Sequence, residues 1–234
     1  VFTFTDPRLI RFGQFIFPLR GHVGIPFLLL ALCLCKPNDL AVWPGWALLV
    51  CGLGLRLWGV AGWVPTRRAG DRSDHLITID GPYVYTRNPR YLGNLLMGLG
   101  GCGIAGLTSC WGPYLLFWAA LHFPIIAFEE HGLAAHYGRE YLDYCQSVPR
   151  FWGWTGKPLA PQILPLDWKL AFSLEMTTEA GWLTLGLFFQ AWRRVAQGGA
   201  RTEYALALAG GVLVWLLLLK LRAHFHRTRV PRER

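Results

Sequence analysis

Charge is what this chain has least of. Of its 234 residues, 16% are Asp, Glu, Lys or Arg, where a soluble domain carries about 25%. A mean hydropathy of +0.30 points the same way and argues against an ordinary cytosolic globule. Acids are scarcest: 14 against 23 Lys and Arg, for a net charge of +9. That balance excludes a nucleic-acid reader, which needs a basic face beside polar surface, because here the basic residues punctuate long apolar runs. A Cys-x-x-Cys pair is also missing, which removes zinc and redox-dithiol readings. Cys33, Cys35, Cys51 and Cys102 lie inside apolar stretches, Cys110 ends one, and Cys145 sits in a polar segment; all six read as small core hydrophobes. No internal repeat is present, and the length allows one or two domains. No cleavable signal peptide is visible either. Asp6, Arg8, Arg11 and Arg20 precede the first apolar run and no small-residue cleavage site follows it, so that run is expected to stay in the membrane.

What is abundant is apolar length. A helix crosses about 30 Å of hydrocarbon with roughly 20 residues. Candidate spans run from His22 to Cys35, Val42 to Val64, Tyr91 to Leu107, Trp111 to Phe128, Gly181 to Trp192 and Tyr204 to Leu221. The third and fourth, nearly continuous, predict a tight helical hairpin. Short cytoplasmic loops accumulate Lys and Arg. With the N-terminus inside, Arg8, Arg11, Arg20, Arg67, Arg68, Arg72, Arg87, Arg90, Arg139, Arg150, Lys157, Lys169 and the basic tail from Lys220 are cytoplasmic, against Lys36, Arg193, Arg194 and Arg201 outside. The expected fold is an all-α, multi-pass bundle of about six spans, both termini cytoplasmic. Two polar segments, Pro65 to Arg90 and Glu129 to Ala180, then share the cytoplasmic face, where a water-soluble ligand would bind. The expected division is a membrane core over 1–152, a cytoplasmic linker over 153–180, and two further helices with a basic tail over 181–234.

The first polar segment ends in HLITIDGPYVYTRNPRYLG, from His75 to Gly93. Gly81-Pro82 signals a turn, and Asn88-Pro89 a helix start, with Asn as cap and Pro at the first helical position. A helix start offers unpaired N–H groups and a positive dipole end. With Arg87 and Arg90 beside it, it suits a carboxylate or phosphate, and Gly93 leaves the backbone open to close approach. A capped helix with snorkelling arginines explains the same residues without a ligand. The second segment opens on Glu129-Glu130, two acids leaving an apolar span. They hold a ligand ammonium, or simply mark the water-covered exit of the helix. His131 and His136 do not make a His-Glu-x-x-His pattern, so no metal is expected.

GPYVYTRNPRYLG, then EE, then HYGREYLDYCQSVPRF, in this order around a tight hairpin, resembles the isoprenylcysteine carboxyl methyltransferase family. That membrane superfamily also includes the phospholipid N-methyltransferases. The resemblance covers roughly His75 to Phe151 and extends to the second span, where Leu-Arg56-Leu-Trp-Gly is similar to bacterial members of unassigned substrate. It implies a transferase in a bacterial-type plasma membrane, passing a methyl group from S-adenosylmethionine to a lipophilic acceptor from the bilayer. Carried over residue by residue, the cofactor site comprises His75, Leu76, Ile77, Thr78, Tyr83, Asn88, Pro89, Arg90, Tyr91 and Glu129. The residues themselves agree: Arg87 and the helix start suit the carboxylate of a zwitterion, Glu129 or Glu130 its ammonium, and tyrosine faces the adenine and sulfonium. Glu129, Glu130 and Tyr91 are the candidate proton acceptors. Arg150 closes the site, meets an anionic acceptor, or is a surface arginine after a proline.

Two positions depart from the family pattern. Asn88 stands where the family has His, and Ile125 where prenylcysteine enzymes have an arginine one turn before the acid. Arg56, stranded within the second span, is the candidate for the missing substrate charge, since a charge there faces the bundle interior or a polar cavity. Membrane lipids and a lipophilic acceptor are the expected partners. The competing readings are a silent accessory subunit of a larger membrane complex and an NADPH-dependent membrane reductase of similar core. Gly98, Gly100, Gly101, Gly103 and Gly106 read as close helix packing, and Pro124 as a kink.

Overall fold

The computed structural model describes residues 6–20, 37–70, 81–151 and 166–198, together with positions 27, 30–33, 202, 209–213, 216–217 and 220. Most of the apolar runs from His22 and from Tyr204, and all of His75 to Thr78, lie outside the described residues. Among the described residues every regular element is helical.

Asp6 accepts the amide of Arg8 at 2.8 Å and Pro7 occupies the first position of α1, Pro7–Ile16, the start geometry both residues favour. α2, Val42–Gly70, and α4, Trp111–Tyr137, follow the second and fourth apolar runs. Their stretches Val42–Gly62 and Thr108–Tyr137 are long and apolar enough to cross a membrane. α3, Pro89–Ile104, is the short arm of the expected hairpin with α4. A turn through Gly106 (φ 75°) joins the two, pinned from outside by Asn38, whose amide reaches Gly106 O at 2.9 Å and whose side chain reaches Thr108 Oγ1 at 2.9 Å. α5, Arg139–Ser147, turns off α4 at Gly138.

α6, Trp168–Ala196, differs from expectation. It starts at Trp168 and not at Gly181, so the later part of the expected linker is helix. Asp167 sets the start by accepting the Leu170 amide at 2.8 Å. Lys169, Glu175 and Glu179 make this stretch polar, yet Glu175 is buried.

α2 and α3 form the tightest pair. A Cβ on Gly93 would lie 2.6 Å from Arg56 Cγ and 2.8 Å from Gly52 O, and one on Gly100 2.6 Å from Leu49 N. Gly93 therefore faces α2 rather than the cavity described below, which corrects its expected place in a ligand site. Gly98 takes the Tyr114 ring and Gly101 that of Phe189, so the glycine run packs helices as expected. Gly106 instead makes the turn. The core of Leu49, Leu53, Met97, Ile104, Leu107 and Phe189 fills the space among α2, α3 and α6, while α1 packs on α4. Cys102, Cys110 and Cys145 are buried as expected, whereas Cys33 and Cys51 are exposed on apolar helix surfaces.

Candidate active site

A cavity of about 570 Å³ opens beside the start of α3, within the ~300–1,000 Å³ range of small-molecule sites. Its wall includes Tyr83, Arg87, Asn88, Pro89, Arg90, Tyr91, Glu129, Glu130 and Arg56, all of them expected site residues. Arg20, Asn94, Gly132, Leu133, Tyr137, Tyr141 and Tyr144 join them. The three tyrosines of the second segment sit at helical spacing on one side of α5 and the end of α4, a pattern legible in HYGREYLDY. Arg20 and Asn94 carried no such signal. Gly93 is absent from the wall, as its packing requires.

The start of α3 is built differently from the expected cap. Asn88 makes no side-chain bond to the first turn. Its Nδ2 instead donates to Arg150 O at 3.1 Å, beside the Thr86 hydroxyl, which donates to the same carbonyl at 3.1 Å. The Arg87 amide adds a bond to Pro149 O at 2.9 Å. The Val148–Phe151 stretch is thus a strap stitched across residues 86–88. With no side-chain cap, the positive end of α3 is left facing the cavity.

The two adjacent acids have different surroundings. Glu130 is clamped. Arg150 Nε lies 3.1 Å from each of its oxygens, Arg150 Nη2 contacts Oε2, and Arg87 Nη1 lies 3.4 Å from Oε1. One carboxylate between two guanidiniums leaves a net positive charge, and Arg87 Nε is buried with no partner. Arg150 is therefore placed behind the wall as a clamp on Glu130, not among the lining residues. Glu129 is hydrogen-bonded to Tyr91, and the charges of Arg20 and Arg90 reach it. Both acids line the cavity, and among the described residues Glu129 has no guanidinium ion-paired to it.

Arg56 is buried. Its Nη2 bonds to Glu175 at 2.7 Å and its Nη1 bonds to Asn94. The same Glu175 lies 3.5 Å from Arg90 Nη2. The expectation that Arg56 faces a polar interior holds, but its charge is met by α6.

Aromatic rings complete the site. Tyr91 stands edge-on to His122 (5.5 Å), which stacks on Trp118 (4.7 Å), which meets Phe151 of the strap (5.4 Å). Tyr144 donates its hydroxyl to Tyr83 O at 2.9 Å. Burial pushes the Tyr83 phenol up to about 12 and raises those of Tyr141 and Tyr144 as well. All three are neutral hydrogen-bonding surfaces at physiological pH.

No curated protein and no solved structure matches the chain. A family model does. Residues 40–140 match the model described as phospholipid methyltransferase, a membrane-associated family. That stretch holds every lining residue of the cavity except Arg20, Tyr141 and Tyr144. The match lends no support to the reductase or the silent subunit. Residues 40–140, which carry nearly the whole cavity wall, are thus similar to the phospholipid methyltransferase family, within the membrane superfamily that the motifs resemble.

Proposed function

We propose that the protein transfers a methyl group from S-adenosylmethionine to a lipophilic or lipid-borne acceptor. The observation that carries the reading is the charge layout of one cavity. Its wall brings together the start of α3 with no side-chain cap, Arg87, Glu129 with no ion-paired guanidinium among the described residues, and tyrosines. This donor set fits a zwitterionic amino-acid end joined to an aromatic base. Arg87 and the α3 amides hold the carboxylate, and Glu129 holds the ammonium. Tyr83, Tyr137, Tyr141 and Tyr144 cover the ring and the cationic sulfur. When bound, S-adenosylmethionine supplies an activated methyl on a sulfonium that leaves as a neutral thioether.

The residues around it then orient and exclude water. The strap, held by Asn88, Thr86 and the Glu130 clamp, closes one side of the cavity. Catalysis is mainly the alignment of acceptor and methyl carbon in a dry site. An amine or phenol acceptor must shed a proton, and Glu129, coupled to Tyr91, is the carboxylate placed to take it. Arg56 with Asn94 forms the polar wall nearest the apolar helices, where the acceptor enters. The full membrane layout we propose is the six-span bundle, its cavity on the cytoplasmic side.

Titration of the purified full-length protein with S-adenosylhomocysteine tests the site. Saturable binding is expected, weakened about 10- to 100-fold in Glu129→Ala, as for loss of a charge-assisted bond of about 1.5–3 kcal/mol. Tyr83→Ala should also weaken it. Unchanged affinity in both folded variants would refute the assignment.

A further inference from the structure

The two guanidiniums that the motif-bearing segment places in the inner wall, Arg56 of α2 and Arg90 of α3, share one carboxylate, Glu175. That acid belongs to α6, outside the stretch that matches the family. Both contacts are specific. The Arg56–Glu175 bond is buried on both sides at 2.7 Å, Arg56 is further fixed by Asn94, and its stem lies against Gly93, where no side chain could fit. Arg90 is half exposed and reaches Glu175 at 3.5 Å. Arg90 is also one of the two cations whose charge reaches Glu129, the acid assigned above to the ligand ammonium.

From this geometry we infer that Glu175 is a positioning residue of the cofactor site: it holds Arg56 and Arg90 against α6 and so keeps the Arg90 guanidinium off Glu129. The inference rests on the methyltransferase reading. Its physical basis is competition. Without Glu175, a buried Arg56 loses its counter-charge and Arg90 its tether. Arg56 still has Glu179 of α6, whose charge it reaches, but the carboxylate already within reach of the Arg90 charge is Glu129, since Glu130 is held by Arg87 and Arg150. An arginine on Glu129 cancels the charge that an incoming ammonium needs. α6 is then part of the working site although it carries none of the motifs.

The effect is selective for the amino-acid end of the ligand, which separates positioning from general damage. Two probes are compared on the full-length protein: S-adenosylhomocysteine, which carries the ammonium and carboxylate, and 5′-methylthioadenosine, which lacks both. Glu175→Gln keeps the shape and removes the charge. It is expected to weaken the first probe about tenfold and leave the second unchanged, with Glu175→Asp recovering most of the loss. Glu179→Gln, one turn further along α6, should leave both affinities at wild-type values. The inference is overturned if Glu175→Gln binds both probes like wild type, if it loses both equally, or if Glu179→Gln reproduces its effect. A wild-type protein that binds neither probe overturns the methyltransferase reading itself.

Discussion

Adjacent residues with the same side chain do different things here. Glu129 and Glu130 leave α4 about 100° apart around the helix; that rotation gives Glu130 to Arg87 and Arg150 and leaves Glu129 to Tyr91 and the cavity. The sequence shows the pair but not which member is engaged, because the decisive partners are 20 or more residues away. The tyrosines give a prediction at the same scale. Phenols whose pKa is raised on folding hold their protons where the unfolded chain has lost them. Stability is therefore untouched below the ordinary phenol value of 10 and falls as pH rises from there toward about 12 for Tyr83. Absorbance of phenolate near 295 nm (roughly, as for any tyrosine) should lag behind that of denatured protein in this window, and Tyr83→Phe should lessen the fall in melting temperature. Normal titration of all tyrosines would contradict the burial described.

At the scale of elements, the α2–α3 pair depends on absent side chains. Gly93→Ala would place a Cβ against Arg56 Cγ and the Gly52 carbonyl, pushing backbone from backbone. A cost of about 1–3 kcal/mol is expected, typical of overpacking. Gly54, on the same α2 with nothing within 4 Å, should accept Ala neutrally or with a gain of up to about 1 kcal/mol. Thermal melts of the two variants in the same detergent check this; equal melting temperatures would count against the packing. The hairpin, the Pro89 start and the packing role of the glycine run were legible because they rest on local signals. The strap was not. Asn88 reads as a cap from its neighbours alone, and only the fold brings Arg150 O within its reach. The early start of α6 has a local signal in Asp167, but the charges at Lys169, Glu175 and Glu179 interrupt the apolar pattern there. Of these only Glu175 is buried, and it is met there by Arg56, distant in sequence.

Across the whole molecule, the scarcity of charge and its placement describe one arrangement. Few charges are present, and many of those within the described helices gather at one cavity in two matched groups, Arg87–Glu130–Arg150 and Arg56–Glu175–Arg90. Each has two guanidiniums about one carboxylate, and among the described residues Glu129 is ion-paired to neither group. Arg56 lies on α2 and Glu130 on α4, the two helices long and apolar enough to cross a membrane, where unpaired charge is costly. The pairing explains how a chain so short of acids tolerates arginines there. The central claim is that this charge layout serves methyl transfer. The most direct measurement is incorporation of labelled methyl from S-adenosylmethionine into a lipid extract by the reconstituted full-length protein. Label should enter an extractable product with the wild type and fall to background with Glu129→Ala. No labelled product with folded wild type, or equal labelling by Glu129→Ala, would contradict it.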